Sequence, residues 1–166
     1  MTQPLLSEAL PTVLVVDDEV RSQDAMRRTL DEDFTVFTAS SAEEARGLLE
    51  RQPVSVILCD QRMPGVTGVT FLKEVRERWP ETVRIVISGF TDSEDIIAGI
   101  NEAGIYQYIL KPWAPDHLLD SVRNAVEAQA LQRQTSRLDL ELRTSNRVLR
   151  QRTAAQMALA RISFGF

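Results

Sequence analysis

Along this chain, apolar residues fall into two rhythms. Short runs dominated by β-branched and aliphatic residues, Val13–Val16, Val54–Cys59 and Val83–Ile87, lack the strict alternation of a half-buried strand and read as strands covered on both faces. Ile105–Leu110 reads as a further strand, and Phe34–Thr38, which alternates and is short, suits an edge. Between them the apolar spacing turns helical. A helix opens at Asp18 or a neighbour and turns Ala25, Met26 and Leu30 to a core. Ser41 with Glu44 three residues on forms a capping box for the next helix, through Ala42, Ala45, Leu48 and Leu49. Val69, Leu72, Val75 and Trp79 share a third helical stripe, ended by Pro80. Asp92 or Ser93 begins a fourth helix with Ile96, Ile97 and Ile100 as its apolar positions and Gly104 as its stop. Pro115 and Asp116 open the last one. Five strand–helix units in succession predict an α/β fold, a doubly wound parallel sheet with helices on both faces.

Beyond Glu127 the helical pattern runs on without Gly or Pro until Gly165. Leu131, Thr135, Leu138, Leu142, Ser145 and Leu149 fall at alternating spacings of four and three, a coiled-coil seam flanked by Arg133, Arg137, Arg143, Arg147 and Arg150. Three parts are therefore expected: a flexible segment over 1–10, a globular domain over 11–127, and a helical linker over 128–166 that pairs two chains. Charge follows the same division. Residues 128–166 hold seven arginines against Asp139 and Glu141, a net of +5 within a chain of net charge −5, which leaves −10 on residues 1–127. That balance argues against a nucleic-acid-coating role for the chain as a whole. Cys59 is the single cysteine, which excludes an internal disulfide and a cysteine-based zinc site. The first residues lack the basic flank of a secretion signal, and no apolar stretch reaches the length of a membrane span, so a cytoplasmic protein is expected.

Chemistry gathers where the buried strands end. A parallel sheet carries its ligands at the carboxyl edge of its strands, and the residues delivered there are Asp17 and Asp18, Asp60, Ser88 and Lys111. Three converging carboxylates repel one another unless a proton or a cation intervenes. All-oxygen ligation of this kind suits Mg²⁺, while Lys111 and Ser88 suit phosphate oxygens. An aspartate can also act as a nucleophile and become an acyl phosphate. Only two lysines stand against seventeen arginines, and one of the two is Lys111.

Four motifs, Val15-Val16-Asp17-Asp18-Glu19, Cys59-Asp60-Gln61-Arg62-Met63-Pro64-Gly65, Ile87-Ser88-Gly89 and Tyr108-Ile109-Leu110-Lys111-Pro112-Trp113, make residues 11–127 resemble a response-regulator receiver domain of two-component signalling. The resemblance implies a flavodoxin-like (βα)5 fold with strand order 2-1-3-4-5. It implies that Asp60 is the phosphoacceptor for a sensor histidine kinase, and that Asp17, Asp18, Asp60 and the backbone carbonyl of Arg62 hold Mg²⁺. It implies that Ser88 and Lys111 contact the phosphoryl oxygens, that Ser88 and Tyr108 form the switch, and that a cis peptide precedes Pro112. Gln61–Gly65 and Tyr106-Gln107-Tyr108 resemble transcription activators of the nitrogen-regulation type, including those governing hydrogenase genes. Expected partners are the kinase and a second copy of the chain, met through the face of the fourth helix, fifth strand and fifth helix and through the tail. DNA would be reached only through an effector domain elsewhere. Ala114 departs from the family by standing where many members carry an Asp cap.

Other chemistries fit less well. A phosphatase of the haloacid-dehalogenase type wants a second acid two residues after its nucleophile, where Arg62 stands. A dinucleotide site wants a Gly-rich turn where Asp17-Asp18-Glu19 stands. His117 reads as a surface residue, Phe71, Trp79 and Trp113 as packing, and the chain as a signalling domain rather than an enzyme, with only slow self-phosphorylation.

Overall fold

The structure is a computed structural model that describes residues 9–89 and 92–164. Most of the segment expected to be flexible, and the Gly165 at which the tail pattern stops, lie outside the described residues. Five strands form one parallel sheet: β1 (Thr12–Val16), β2 (Thr35–Ala39), β3 (Val56–Asp60), β4 (Val83–Ser88) and β5 (Gln107–Leu110). Their order is β2-β1-β3-β4-β5, as the resemblance implies, with helices between successive strands. The helices are α1 (Val20–Leu30), α2 (Ala42–Arg51), α3 (Gly68–Arg78), α4 (Ser93–Ala103) and α5 (Pro115–Phe164).

The two-residue period of the strands sorts the core into two layers. Leu14, Val16, Ile57, Cys59 and Val86 meet Ala45, Leu49, Leu72, Val75 and Ile96 of α2, α3 and α4 on one face. Val13, Val15, Leu58, Ile85 and Ile109 meet Met26, Leu30, Leu118 and Val122 of α1 and α5 on the other. Each of the larger aliphatic side chains among them contributes about 1.5–3 kcal/mol of apolar burial. Phe71 and Cys59 are wholly interior, as packing residues should be.

Local signals fix the ends. Ser41 Oγ accepts the Glu44 N–H at 3.2 Å, while Glu44 reaches back to the N–H of Ser40, one residue earlier than a standard capping box. Gly104 takes the left-handed conformation at φ 59°, and the Ile105 N–H closes onto the Ile100 carbonyl at 3.2 Å. Ile105 thus belongs to the ending of α4, and β5 starts later than the apolar run does.

α4 turns Ile96 and Ile100 toward the core as its spacing suggests, but not Ile97. Gly99 lies so close to α3 that a Cβ there would sit 1.9 Å from Val69 Cγ1. The stripe Ile96, Gly99, Ala103 therefore faces the core, and Ile97 is left 68% exposed.

By contacts the chain divides after Gln129. In the first unit, α5 buries Leu118, Ser121, Val122, Ala125 and Gln129. In the second, helix continues through Phe164, and every side chain from Leu131 to Met157 is exposed. Among the described residues, no helix is long and apolar enough to cross a membrane.

Candidate functional site

Parallel pairing brings the ends of β1, β3 and β4 to one edge, with Val16 opposite Cys59 and Asp60 opposite Ile87. The chain leaves each strand there, so the next side chains converge. Asp17 is fully buried, Asp60 nearly so, and Asp18 exposed. One carboxylate oxygen from each lies within 4.8 Å of those of the other two. Asp17 Oδ1 accepts the Glu19 N–H at 2.9 Å, but the buried Oδ2 has no hydrogen-bond partner. An orphaned buried carboxylate oxygen is costly, and here it faces two further carboxylates.

Lys111 answers part of that charge. Its Nζ stands 2.9 Å from Asp60 Oδ1, and its backbone N–H donates to the Ser88 carbonyl at 2.8 Å. The Lys111–Pro112 peptide is cis. Asp60 also accepts the Arg62 N–H. Burial pushes the Asp17 carboxyl up to about 6, with the charges of Asp60 and Asp18 adding to it and the Glu19 N–H opposing. Burial likewise raises Asp60, against the bond and charge of Lys111. For Lys111 burial pulls downward, but the bond to Asp60 and the charges of Asp60, Asp17 and Glu19 prevail, and the ammonium is held above its ordinary value. The cluster therefore keeps its lysine charged while resisting ionisation of Asp17 and Asp60. A hard divalent cation with oxygen ligands would satisfy both the repulsion and the orphaned Oδ2, so the donor set fits Mg²⁺.

Ser88 is buried at the end of β4, in register with Leu110. Tyr108, opposite Val86 on the edge strand, is 52% exposed. The structure thus brings Asp17, Asp18, Asp60 and Lys111 into one cluster, places Ser88 at the same edge, and leaves Tyr108 on the outer strand. His117 is exposed, and Trp113 packs against the α1–α5 core layer. Burial pushes the Cys59 thiol well up, as suits an inert core residue.

Several supporting residues carry no sequence signal of their own. Gln23, buried on α1, donates from Nε2 to the Asp17 carbonyl at 2.6 Å and to Ser40 Oγ at 2.9 Å, holding the end of β1. Gly68 opens α3 so close to the end of β3 that a Cβ would lie 2.3 Å from the Asp60 carbonyl oxygen. Gln61 Oε1 accepts the Val69 N–H at 2.9 Å. Asp92 is paired with Arg62 at 2.8 Å. A glycine after a turn motif and a charge pair spread over two loops have no local spacing by which to be found.

Residues 13–123 match the response regulator receiver domain family. Over 161 residues the chain is 75% identical to the hydrogenase transcriptional regulatory protein HoxA of Cupriavidus necator, covering 97% of this chain and 33% of that protein. Over 155 residues it is 50% identical to the protein of the same name from Bradyrhizobium diazoefficiens, covering 93% and 32%. The chain thus spans about a third of the length of these curated relatives. Among solved structures, the signal receiver domain of an HD domain-containing protein from Pseudomonas fluorescens Pf-5 superposes with a TM-score of 0.73 at 30% identity, covering 78% of this chain and 96% of that one.

Proposed function

The chain belongs to the response regulator receiver domain family, and from that premise we propose that Asp60 accepts a phosphoryl group from a sensor histidine kinase and passes the event on as a change of shape. One observation carries the reading: the buried, unpartnered Oδ2 of Asp17 beside Asp18 and Asp60, with Lys111 already on Asp60. Mg²⁺ would be held by Asp17, Asp18, Asp60 and the carbonyl of Arg62. When bound, it neutralises the carboxylates and draws phosphoryl oxygens to the site. Asp60 supplies the nucleophilic oxygen, and Lys111 balances charge on the acquired group. Ser88 donates its hydroxyl to a phosphoryl oxygen, vacating space that Tyr108 rotates into. A gap of a few kcal/mol between the two arrangements is enough for one such hydrogen bond to shift their populations. Turnover without a kinase would be slow, as befits a signalling domain.

The relatives named hydrogenase transcriptional regulatory proteins support a transcriptional output connected with hydrogenase, and a cytoplasmic setting belongs to the same proposal. Contact with DNA would fall to parts of those longer proteins that this chain does not span. A second copy of the chain is the other partner. The exposed Leu131, Leu138, Leu142 and Leu149 support a paired tail, and the exposed Ile97, Tyr106, Tyr108 and Leu110 support a contact through α4, β5 and α5.

Intact mass after incubation with acetyl phosphate and Mg²⁺ tests the assignment of Asp60. One added phosphoryl mass is expected in the wild type and none in Asp60→Asn. Equal labelling of the two would remove Asp60 from the role.

A further inference from the structure

Asp17 has four polar groups, and three of them are tied. Its N–H donates to the Ala39 carbonyl at 3.0 Å, its Oδ1 accepts the Glu19 N–H at 2.9 Å, and its carbonyl accepts Gln23 Nε2 at 2.6 Å. The fourth, Oδ2, is the buried oxygen without a partner. Two of these ties close into a circuit. Gln23 donates its own backbone N–H to the Glu19 carbonyl at 3.1 Å, so the first turn of α1 holds Asp17 by side chain and by main chain at once. Glu19, at the start of α1, makes no side-chain cap bond there, and Gln23 is a strut from that turn to the end of β1. The same amide nitrogen reaches Ser40 Oγ at 2.9 Å and the Ala39 carbonyl at 3.3 Å, so it anchors on the end of β2 as well. Gln23 is buried, and its donors are directed at two strand ends rather than at solvent. The carbonyl it holds belongs to the peptide that joins Asp17 to Asp18. Because that unit is planar, fixing its oxygen orients the plane from which both carboxylates spring.

We propose that Gln23 is a positioning residue for the divalent cation: its hold on the Asp17–Asp18 peptide sets those two carboxylates at the spacing Mg²⁺ requires. The inference rests on the reading of Asp17, Asp18 and Asp60 as a Mg²⁺ site. Mg²⁺ demands near-ideal octahedral geometry at short distances, whereas Ca²⁺ accepts longer and more variable shells. A strut on the ligand-bearing peptide therefore acts both on affinity and on the choice between the two ions. A neutral amide suits this post. It offers two N–H donors from one nitrogen without placing a fixed positive charge beside the cation.

Calorimetric titration with Mg²⁺ alone, and separately with Ca²⁺ alone, tests this. Gln23→Met keeps the length of the side chain and removes its donors. Gln23→Asn keeps the amide and draws it back by one methylene, out of reach of the Asp17 carbonyl. Each is expected to weaken Mg²⁺ binding about tenfold, the size of a lost supporting partner of a metal ligand. Ca²⁺ binding should weaken by no more than about threefold, which narrows the preference between the ions. Met26→Ala, a change at a fully buried position on the same helix, controls for lost packing. It should lower the urea midpoint of unfolding and leave Mg²⁺ affinity within about twofold of wild type. Far-UV circular dichroism checks that each variant is folded. Mg²⁺ affinity of both Gln23 variants equal to that of wild type would overturn the proposal, as would equal losses for Mg²⁺ and Ca²⁺ or a matching loss in Met26→Ala. Wild type that binds no Mg²⁺ would instead remove the reading of the carboxylates as a cation site, and this inference with it.

Discussion

Up to Gln129, α5 turns Leu118, Ser121, Val122, Ala125 and Gln129 into the protein at helical spacing; from Leu131 to Met157 no side chain is buried. The backbone is helical in both regions, yet the support differs. In the first it is the apolar layer against β1, β3 and β4. In the second it is propensity: Arg, Leu, Ala and Gln dominate, and local ties such as Arg143 to Asp139 at 3.1 Å contribute about 0.3–0.5 kcal/mol each. Helices stabilised only in this way are marginal in water. A helix can therefore be written into a sequence twice, once by what it packs against and once by what it is made of. Only the first kind holds a site in place.

The comparison breaks most visibly under truncation of leucines. Leu118→Ala removes a fully buried side chain and should cost about 3 kcal/mol, whereas Leu140→Ala, on an exposed face away from the proposed seam, should stay within about 0.5 kcal/mol. Urea unfolding followed by tryptophan fluorescence measures both, since Trp79 and Trp113 lie in the first unit. Similar losses at the two positions would mean that the tail is buried against something after all.

A double change sharpens the contrast from the other side. Leu138→Asp with Leu142→Asp should convert a dimer to a monomer by light scattering while leaving phosphorylation of Asp60 untouched. Wild type that is already monomeric at high concentration, phosphorylated or not, would contradict a paired tail.

Smallest in size is a pH effect confined to the first unit. Asp17 is raised to about 6 from an ordinary 3.8, chiefly by burial. Its contribution to stability in the absence of metal is therefore fully present below 3.8 and lost as pH rises through about 6. Metal and proton compete for that carboxylate, so Mg²⁺ affinity should fall as pH drops through about 6, by at most about tenfold per pH unit for a single proton. Mg²⁺ titrations monitored by fluorescence across that range would show it. Affinity independent of pH would put Asp17 outside the metal shell.

How far the sequence foretold the structure depends on how local the cause is. The strand-end acids and Lys111 were legible because buried parallel strands deliver their last side chains, and those just beyond, to one edge. The tail was legible as helix because neither Gly nor Pro interrupts it before Gly165. The close approach of α4 to α3 was not, since Gly99 rather than an apolar side chain marks the contact with Val69. Nor were the joining of Arg62 to Asp92, the hold of Gln23 on Asp17, or the need for a bare Cα at Gly68, all of which depend on segments meeting in space.

At the centre stands the claim that Asp17, Asp18 and Asp60 form a cation-dependent phosphoacceptor site. Acetyl phosphate labelling of wild type and Asp17→Asn across a Mg²⁺ titration tests it most directly. Wild type should show no labelling in chelator and saturable labelling as Mg²⁺ rises, with a midpoint at least about tenfold higher in Asp17→Asn, the cost of a buried ligand. Full labelling of wild type in chelator, or coincident curves for the two proteins, would contradict it.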